Sequence, residues 1–482
     1  MITQIELDGF KTFKDFKVEL APFQVIVGPN GVGKSNLFDA LRLLSRLANM
    51  DVLSAFQGSR GEDDELFTIL PDGKTVDRMR LAVEMLVDRK VQDDLGGKGE
   101  LNNTRLRYEL EVVLHTDQYG LERPYIIHES LKAIPREEDY WCKKYHLSSQ
   151  NGWLPAATGN EATFIDTDPH GRLLDGVMAV NPAASIITLY RDDQKQGNPT
   201  QYRAMDLQRT LLSTAIGVEY QHVLAARKEF LSFTFLHLSP AVLRKSGLVR
   251  GPRFLSEDGS NLPTTLARIQ AEDEFALTDI SHDIANLVPG ILKIRLEKNA
   301  ATNEYDIWVT TADQRSLPAQ VLSDGTLRLL AIATLRNDPQ FHGVLCLEEL
   351  ENGVDPLHLK DMVYLLREMV TDFDDFQQVE EPLRQVLVTT HSPTFVSIPE
   401  ILDALMLAIK VTRVEPHQST LEITRMVPVP TPNTPSNLEQ HKDKDMAIEI
   451  YAIDQIKKYL NRDDVDEALE LLQQARATLL EG

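Results

Sequence analysis

The sequence predicts an α/β fold with a mixed β-sheet, an antiparallel β subdomain and a helical insertion. Three observations support this prediction. An apolar run of strand type, a glycine-rich loop and a helical pattern follow one another at residues 23–50. The uninterrupted apolar run at 344–347 is typical of a buried parallel strand, and residues 385–390, with the apolar centre Val-Leu-Val, are predicted to form another buried strand. Alternation of apolar and polar residues at 79–87 and 105–114 is instead typical of antiparallel strands with one polar face.

Composition limits the classes of protein to consider. The 482 residues suffice for two or more domains with large cores. We expect a cytoplasmic protein without membrane contact, because no stretch approaches the roughly 20 apolar residues of a span and the N-terminus lacks a charged leader. Cys142 and Cys346 have no Cys or His at metal-ligand spacing, which argues against a disulfide framework or a zinc hook. A net charge of −23 disfavours bulk attraction to nucleic acid or anionic lipid, although a local basic surface could still bind either.

The glycine-rich loop has the spacing G-x-x-x-x-G-K-S between a strand and a helix. Its glycines allow successive backbone N–H groups to converge on an anion, with the positive end of the helix dipole behind them. Lys34 can then reach the β- and γ-phosphates of a nucleotide, and the Ser35 hydroxyl can bind Mg²⁺. A chance glycine turn is the alternative, which the flanking strand and helix disfavour. The candidate phosphate-binding residues are Gly28, Pro29, Asn30, Gly31, Val32, Gly33, Lys34, Ser35 and Asn36.

The remaining elements suggest four segments along the chain. We predict an N-terminal lobe at 1–134, a mixed and partly helical insertion at 135–284, a C-terminal lobe at 285–427, and a Pro-rich linker with a helical tail at 428–482. The first helix should run from Lys34 to about Met50, and another strand should span 125–133. Helical periodicity around 205–230 does not persist long enough for a coiled coil. Two further helical patterns occupy 446–460 and 465–480.

Three motifs follow in the second half of the chain. Ser323 and Gly325, in Leu-Ser-Asp-Gly-Thr, precede a helical run and could offer a hydroxyl and free N–H groups to a second phosphate. Taken alone, this pentapeptide is explained better by an N-cap serine before a core helix. Glu348 and Glu349 stand at the carboxyl end of the run 344–347, where open α/β sheets bind ligands. Glu348 is placed to organise Mg²⁺ and Glu349 to polarise an attacking water, although solvated glutamates beginning a loop are the common alternative.

A histidine ends the third apolar run. His391 follows residues 385–390 and could donate a hydrogen bond to the γ-phosphate, or it could merely cap the sheet. The order and spacing of the motifs favour the donor.

Together these motifs resemble the ATP-binding cassette (ABC) class of P-loop ATPases. The residues that carry the resemblance are GPNGVGKSN, LSDGT, LCLEELENGVDP and VLVTTHSP. Within that class, the opening IELDGFKTFK and the segment SEDGSNLP are similar to the chromosome-maintenance and RecF-like branch, which includes the ATPase modules of overcoming-lysogenization-defect proteins. The resemblance covers 1–134 and about 285–411. The chain departs from the family pattern at Glu348, where aspartate is more usual, at Leu350, where proline is frequent, and at Asp355, where many members have histidine.

The resemblance implies that ATP is sandwiched head to tail between two subunits, so that hydrolysis needs a homodimer or a larger assembly. Ser35 and Glu348 would serve Mg²⁺, with Gln57 as a further metal ligand of the Q-loop, and Glu349 would be the catalytic carboxylate. His391 would be the switch histidine. Ser323 and Gly325 would complete the ATP site of the opposite subunit.

Two functions of different class remain open. In the first, the chain is an ATP-dependent switch or scaffold for a separate effector such as a nuclease, as in antiviral defence systems; the PARIS-type ATPase subunit is a candidate relative. The tail after 427 is expected to be too short for the nuclease domain of overcoming-lysogenization-defect nucleases. In the second, the chain is a RecF-like repair ATPase that binds DNA, with a candidate basic loop at 243–253 carrying Arg244, Lys245, Arg250 and Arg253. A solvated loop of an acidic chain explains residues 243–253 better than a DNA site does. A third function, a transporter ATPase subunit, is less consistent with the long insertion and with the LSDGT form of the motif.

Overall fold

The computed structural model describes residues 1–58, 63–116, 120–156, 162–168, 185–192, 199–414, 420–429 and 454–456. The strands, in chain order, are β1 (Ile2–Asp8), β2 (Phe16–Glu19), β3 (Phe23–Val27), β4 (Arg78–Leu86), β5 (Lys90–Gln92), β6 (Lys98–Glu100), β7 (Arg105–Thr116), β8 (Glu122–Ala133), β9 (Thr163–Thr167), β10 (Ile186–Leu189), β11 (Thr200–Arg203), β12 (Thr234–Leu236), β13 (Gly247–Leu248), β14 (Ile291–Asn299), β15 (Glu304–Thr311), β16 (Ser316–Pro318), β17 (Gly343–Glu348), β18 (Arg384–Thr390), β19 (Leu405–Val414) and β20 (Thr420–Pro428).

The helices are α1 (Lys34–Leu47), α2 (Val52–Gln57), α3 (Tyr140–Lys144), α4 (Leu211–Thr214), α5 (Gln221–Leu231), α6 (Pro240–Leu243), α7 (Leu262–Glu272), α8 (Ala276–Leu287), α9 (Asp324–Arg336), α10 (Leu359–Glu368) and α11 (Pro393–Val396). The first helix therefore ends three residues before the predicted boundary at Met50. Apart from 427–429 and 454–456, the Pro-rich stretch and the predicted tail helices lie outside the described residues.

A six-stranded mixed sheet lies at the centre of the fold. Its order is β12-β17-β18-β3-β19-β20, and all neighbours are parallel except β19 and β20. The apolar runs at 344–347 and 385–390 are its strands β17 and β18, which confirms the prediction of buried parallel strands. Their register sets Glu348 opposite Thr389, and Thr390 opposite Val27 of β3.

The second large sheet has eight strands and is antiparallel throughout. Its order is β11-β10-β9-β8-β7-β4-β1-β2. The alternating segments at 79–87, 105–114 and 125–133 are its strands β4, β7 and β8, as the sequence predicts. Smaller sheets join β13, β14, β15 and β16, and β5 with β6. Together with the six-stranded mixed sheet, these elements confirm the predicted α/β class with an antiparallel subdomain.

Helix α1 is buried between the two large sheets. Its apolar residues share one core cluster with Ile26, Cys346 and Leu387 on one face of the six-stranded sheet. Val25 and Leu345 project from the opposite face and join a second cluster with helices α7 to α10. Because both faces of these strands are covered, most positions along them are apolar, which explains the apolar runs in the sequence.

The stretch 135–284 does not form a separate insertion in its described part. Strands β9 to β11 extend the eight-stranded sheet, and β12 forms an edge of the six-stranded sheet. The predicted helical periodicity around 205–230 corresponds to α4 and α5, and α5 packs against α1. The strands of this stretch have only two to five residues, which is too few for an alternating pattern to be recognised in the sequence. The exact division into four segments stays a prediction.

Across the described ranges, the structure contains no helix with both the length and the apolar character that crossing a bilayer requires.

Candidate ATPase site

The loop that joins β3 to α1 forms a concave backbone turn. Gly31 has φ +76° and Gly33, the residue before α1, has φ +102°. These left-handed conformations suit glycine, which lacks the Cβ atom that would clash with the backbone. The turn brings successive N–H groups to the N-terminus of α1, a geometry that suits an anion. Gly28 begins the loop, and its N–H donates to Thr390 O at 3.3 Å.

Lys34 points back into this loop. Its Nζ donates to Gly28 O at 2.6 Å and to Pro29 O at 3.0 Å, and the residue is only 7% exposed. Burial lowers the pKa of Lys34, while the charges of Glu349 and Glu351 act in the opposite direction. A buried ammonium held by two carbonyls is a ready partner for a phosphate, because an anion supplies the charge that the carbonyls lack.

Two threonines from distant parts of the chain brace the loop. Thr424 of β20 donates through Oγ1 to Val32 O at 2.7 Å, and the same hydroxyl lies 2.7 Å from Thr12 Oγ1. Asn36 Nδ2 donates to Thr12 Oγ1 at 2.8 Å. The predicted loop residue Asn36 therefore ties the loop to its support. No signal in the sequence marks Thr12 or Thr424 as the brace.

This brace predicts different effects for alanine at two glycines of the loop. A Cβ at Gly33 would lie 2.3 Å from Thr424 Oγ1 and 2.8 Å from Thr12 Oγ1, whereas a Cβ at Gly31 would have no heavy atom within 4 Å. Both substitutions place alanine at positive φ, which costs about 1–2 kcal/mol. We expect Gly33→Ala to reduce the free energy of unfolding by a further ~1–3 kcal/mol, because the threonines must move. Denaturant unfolding of both variants tests this expectation, and equal losses would contradict it.

Two predicted side chains meet at the carboxyl edge of the sheet. Glu349 follows β17, and its N–H donates to Thr389 O at 3.0 Å. Its Oε1 lies 3.0 Å from His391 Nδ1, an ion-pair contact without the alignment of a hydrogen bond, and its Oε2 accepts from Asn352 Nδ2 at 3.0 Å. Glu349 has φ +49°, an unfavourable conformation for a residue with a side chain, and such strain is frequent at functional sites.

The strand register brings Glu349 and His391 to the same edge of the six-stranded sheet as the loop 28–36. Glu348 ends β17, two strands away from Gly28, with β18 between them. Neighbouring strands are roughly 5 Å apart, so about 10 Å separates the two strand ends. That gap leaves room for a phosphate group and a hydrated metal ion.

The oxygen-bearing side chains at this edge suit Mg²⁺ better than a metal ion that is bound by protein side chains alone. Within the described part of the chain, no group of three or more His, Cys, Asp or Glu side chains is arranged to hold a metal. Ser35, in the first turn of α1, and Glu348 provide oxygen ligands at this edge. Mg²⁺ usually takes one or two protein oxygens and completes its shell with phosphates and water, which fits these two residues.

The structure does not join Gln57 to these two residues. Gln57 is the exposed last residue of α2, and a Cβ on its neighbour Gly58 would lie 2.2 Å from the guanidinium carbon of Arg46. Arg46 lies in the last turn of α1, eleven residues or about 16 Å along the axis from Ser35. No hydrogen bond or ion pair among the described residues connects Gln57 to the candidate site.

Ser323 and Gly325 lie at the N-terminus of α9. Ser323 is exposed and caps the helix, accepting from Thr326 N at 3.2 Å, as the simpler alternative for this motif predicts. Gly325 is buried, and a Cβ there would lie 2.3 Å from Gly353 O. The N-terminus of α9 therefore packs against the loop that carries Glu349. No hydrogen bond within the described ranges joins Ser323 to the loop 28–36 of the same chain.

One acidic residue of this edge was missed from the sequence. Glu351 is 7% exposed, accepts from Thr390 Oγ1, and has its pKa raised by burial. Glu351 stands two residues after Glu349 in the motif LCLEELENGVDP. Its acidic side chain in the same motif was the signal that could have identified it as a candidate residue of this edge.

Comparison with known proteins agrees with this arrangement. Residues 1–151 match the family model described as "AAA ATPase domain", and residues 238–397 match the model described as "AAA domain, putative AbiEii toxin, Type IV TA system". An 89-residue segment is 38% identical to the chromosome partition protein Smc of Bordetella petrii; it covers 18% of this chain and 7% of that protein.

Two solved structures give weaker similarity. A crystal structure of the Smc head bound to the C-winged helix domain of ScpA covers 88% of this chain and 97% of its own, at 14% identity and a TM-score of 0.46. The SMC head domain from Thermotoga maritima covers 89% of this chain and 99% of its own, at 14% identity and a TM-score of 0.38. The family models, which cover 1–151 and 238–397, agree with the strand-loop-helix site in that both parts of the chain are similar to AAA-type ATPase domains.

Proposed function

We propose that this chain hydrolyses ATP at a site shared by two copies of itself, and that the resulting closure acts as a switch or scaffold for a separate effector. The observation that carries the proposal is the contact between Glu349 and His391, 3.0 Å apart at the sheet edge that also holds Gly28. A carboxylate, a histidine and a phosphate-type loop on one edge form the set of groups that phosphoryl transfer to water requires.

Each residue of the site would have a separate role in ATP binding and hydrolysis. The loop N–H groups and Lys34 bind the β- and γ-phosphates, and Glu349 orients and polarises the attacking water. His391 supports the γ-phosphate and keeps Glu349 in place from the other side. Mg²⁺, held by Ser35 and Glu348, would neutralise the charge that develops on the phosphate oxygens.

The need for a second copy rests on the N-terminus of α9. Ser323 is exposed and makes no hydrogen bond to the loop 28–36 of its own chain in the described ranges. Ser323 Oγ caps the first turn of α9 in its own chain, and its exposed side chain and the neighbouring helix N-terminus would meet the nucleotide of another chain, where the helix N-terminus would supply positive potential. In the proposed homodimer, each ATP site combines one copy's phosphate loop with the other copy's α9.

Mixing two inactive variants tests this shared site. We expect Lys34→Ala and Ser323→Arg each to be inactive alone, because each spoils both sites of its own dimer. In an equal mixture, about half of the dimers are mixed and carry one intact site of two, so roughly a quarter of all sites recover. The measurement is phosphate release from ATP before and after mixing.

The control is a mixture of Lys34→Ala with the double variant Lys34→Ala, Ser323→Arg, which contains no intact site. A mixture no more active than this control, at concentrations where native mass shows dimers, would contradict the shared site. Wild-type protein without turnover would contradict the proposed hydrolysis itself.

The role in defence is supported by family likeness. The segment 238–397, which carries Ser323, Glu349 and His391, matches a model whose description includes a putative AbiEii toxin. The motifs resemble those of overcoming-lysogenization-defect ATPases and of the PARIS-type ATPase subunit, which fits an ATPase that controls a separate nuclease in antiviral defence.

DNA binding in repair is the second candidate, and the exposed basic loop favours it. Lys245, Arg250 and Arg253 are exposed, whereas Arg244 donates to Asp324 Oδ1 at 2.5 Å beside Ser323. DNA on this loop would therefore lie next to the N-terminus of α9.

Purification of ATP-bound Glu349→Gln protein from its own cells distinguishes the two candidate functions. A stoichiometric protein partner would support the switch or scaffold. DNA that co-purifies without a protein partner, and that dissociates at high salt, would support the repair function.

A further inference from the structure

A buried side-chain contact links the loop after β17 to the end of β18. Glu351 Oε1 accepts a hydrogen bond from Thr390 Oγ1, and Thr390 is fully buried. The same hydroxyl accepts from Ser392 N at 3.0 Å. Thr390 Oγ1 therefore contacts both Glu351, which lies two residues after Glu349, and the backbone N–H of Ser392, which follows His391.

The second oxygen of Glu351 has a different environment. Glu351 Oε2 is buried and has no hydrogen-bond partner in the described part of the chain. A buried carboxylate oxygen without a partner is rare in proteins and calls for an explanation, which at a ligand site is often a functional one. The negative charge of Glu351 also acts to raise the pKa of Lys34 in the phosphate loop, against the effect of burial. Thr390, the partner of Glu351, also accepts at its backbone O from Gly28 N at 3.3 Å, so Glu351 lies beside the start of the phosphate loop.

Glu349 depends on this loop for its position. Its backbone is held to Thr389 O at 3.0 Å and its side chain to Asn352, which belongs to the same loop. The contact from Glu351 to Thr390 is a buried side-chain link between the loop and β18, in addition to the backbone hydrogen bond of Glu349. If the link is lost, Glu349 and Asn352 can move together away from His391.

We infer that Glu351 is a positioning residue for the proposed ATPase reaction, acting through Thr390 to hold Glu349 against His391. The inference rests on the proposed function. Neither side chain needs to touch the nucleotide, so loss of the link should reduce turnover while leaving ATP affinity nearly unchanged. Displacement of a catalytic group by about 1 Å is enough to cost up to ~100-fold in rate.

A double-mutant cycle tests this link. We expect Glu351→Ala and Thr390→Val each to lower kcat by about 10–100-fold, with the Kd for ATP within about threefold of wild type. The double variant should be no slower than the slower single variant, because the contact that Glu351→Ala removes is already lost in Thr390→Val. Thr390→Ser restores the hydroxyl and should recover kcat to within about threefold of wild type.

Thr334→Val is the matched control for general destabilisation. Thr334 is also fully buried, and its hydroxyl donates to Leu330 O at 2.7 Å within α9. We expect this variant to lower the melting temperature as Thr390→Val does, while leaving kcat unchanged.

The outcomes distinguish the positioning role of Glu351 from the proposed ATPase function. Additive losses in the double variant, a loss of ATP affinity equal to the loss of kcat, or wild-type kcat in Thr390→Val would overturn the positioning role alone. Wild-type protein that does not turn over ATP would overturn the proposed function, and the positioning role with it.

Discussion

Glu349→Gln is expected to bind ATP with nearly wild-type affinity and to hydrolyse it at least ~100-fold more slowly. Glutamine has the shape of glutamate and keeps an oxygen for Asn352 Nδ2, which lies 3.0 Å from Oε2 in the wild type. It cannot polarise water as a carboxylate does. ATP that is bound but not cleaved should also trap the closed homodimer. Phosphate release, nucleotide affinity and native mass measure the three effects.

The control for this prediction is another conservative change from glutamate to glutamine. Glu422 is exposed on β20 and pairs with Lys410 at 3.0 Å, and neither side chain has a hydrogen bond or ion pair to the candidate site among the described residues, so Glu422→Gln should leave turnover unchanged. Wild-type turnover by Glu349→Gln would remove Glu349 as the catalytic carboxylate. Glu348 and Glu351, the other acidic side chains of this edge, would then be the groups to test.

Lys34→Ala is expected to weaken ATP binding by about 100-fold or more, because charge-assisted hydrogen bonds to the phosphates are lost in a partly desolvated loop. The substitution also leaves Gly28 O and Pro29 O without their donor. Lys34→Arg keeps the charge, but a planar guanidinium does not fit a position that is only 7% exposed, so we expect roughly tenfold weaker binding. Titration with ATP under equilibrium conditions gives both affinities.

Lys410→Ala serves as the control, since Lys410 is a partly exposed lysine of β19 paired with Glu422. Circular dichroism of each variant establishes that the fold is kept. Unchanged ATP affinity in correctly folded Lys34→Ala protein would refute the phosphate-binding role of the loop.

Much of the candidate site could be predicted because its motifs are local. The loop 28–36 needs only the strand before it, the helix after it and the glycines between them, and all three are visible in consecutive residues. Glu349 and His391 each follow a segment whose apolar residues predict a buried strand. Parallel strands place their carboxyl ends at one edge, so strand type predicted that both residues lie at a ligand-binding edge, whereas their contact depends on the pairing of β17 with β18.

Other features depend on pairings that local patterns do not contain. Thr12 and Thr424 share a hydrogen bond across 412 residues of sequence, and Glu351 meets Thr390 across 39. A threonine has the same local preferences whether or not its hydroxyl braces a loop. The strands of 163–248 were missed because they are stabilised by neighbours in a sheet more than by their own short patterns.

The sequence by itself determined the α/β class, the phosphate-type loop and the carboxylate and histidine at strand ends, since each follows from residue spacing along one element. Only the tertiary structure decided that the described part of 135–284 is shared among several sheets, that no hydrogen bond or ion pair among the described residues connects Gln57 to the candidate site, and that Glu351 joins this edge. The physical reason is that hydrogen bonds and burial between distant segments exist only once the sheets have assembled around α1.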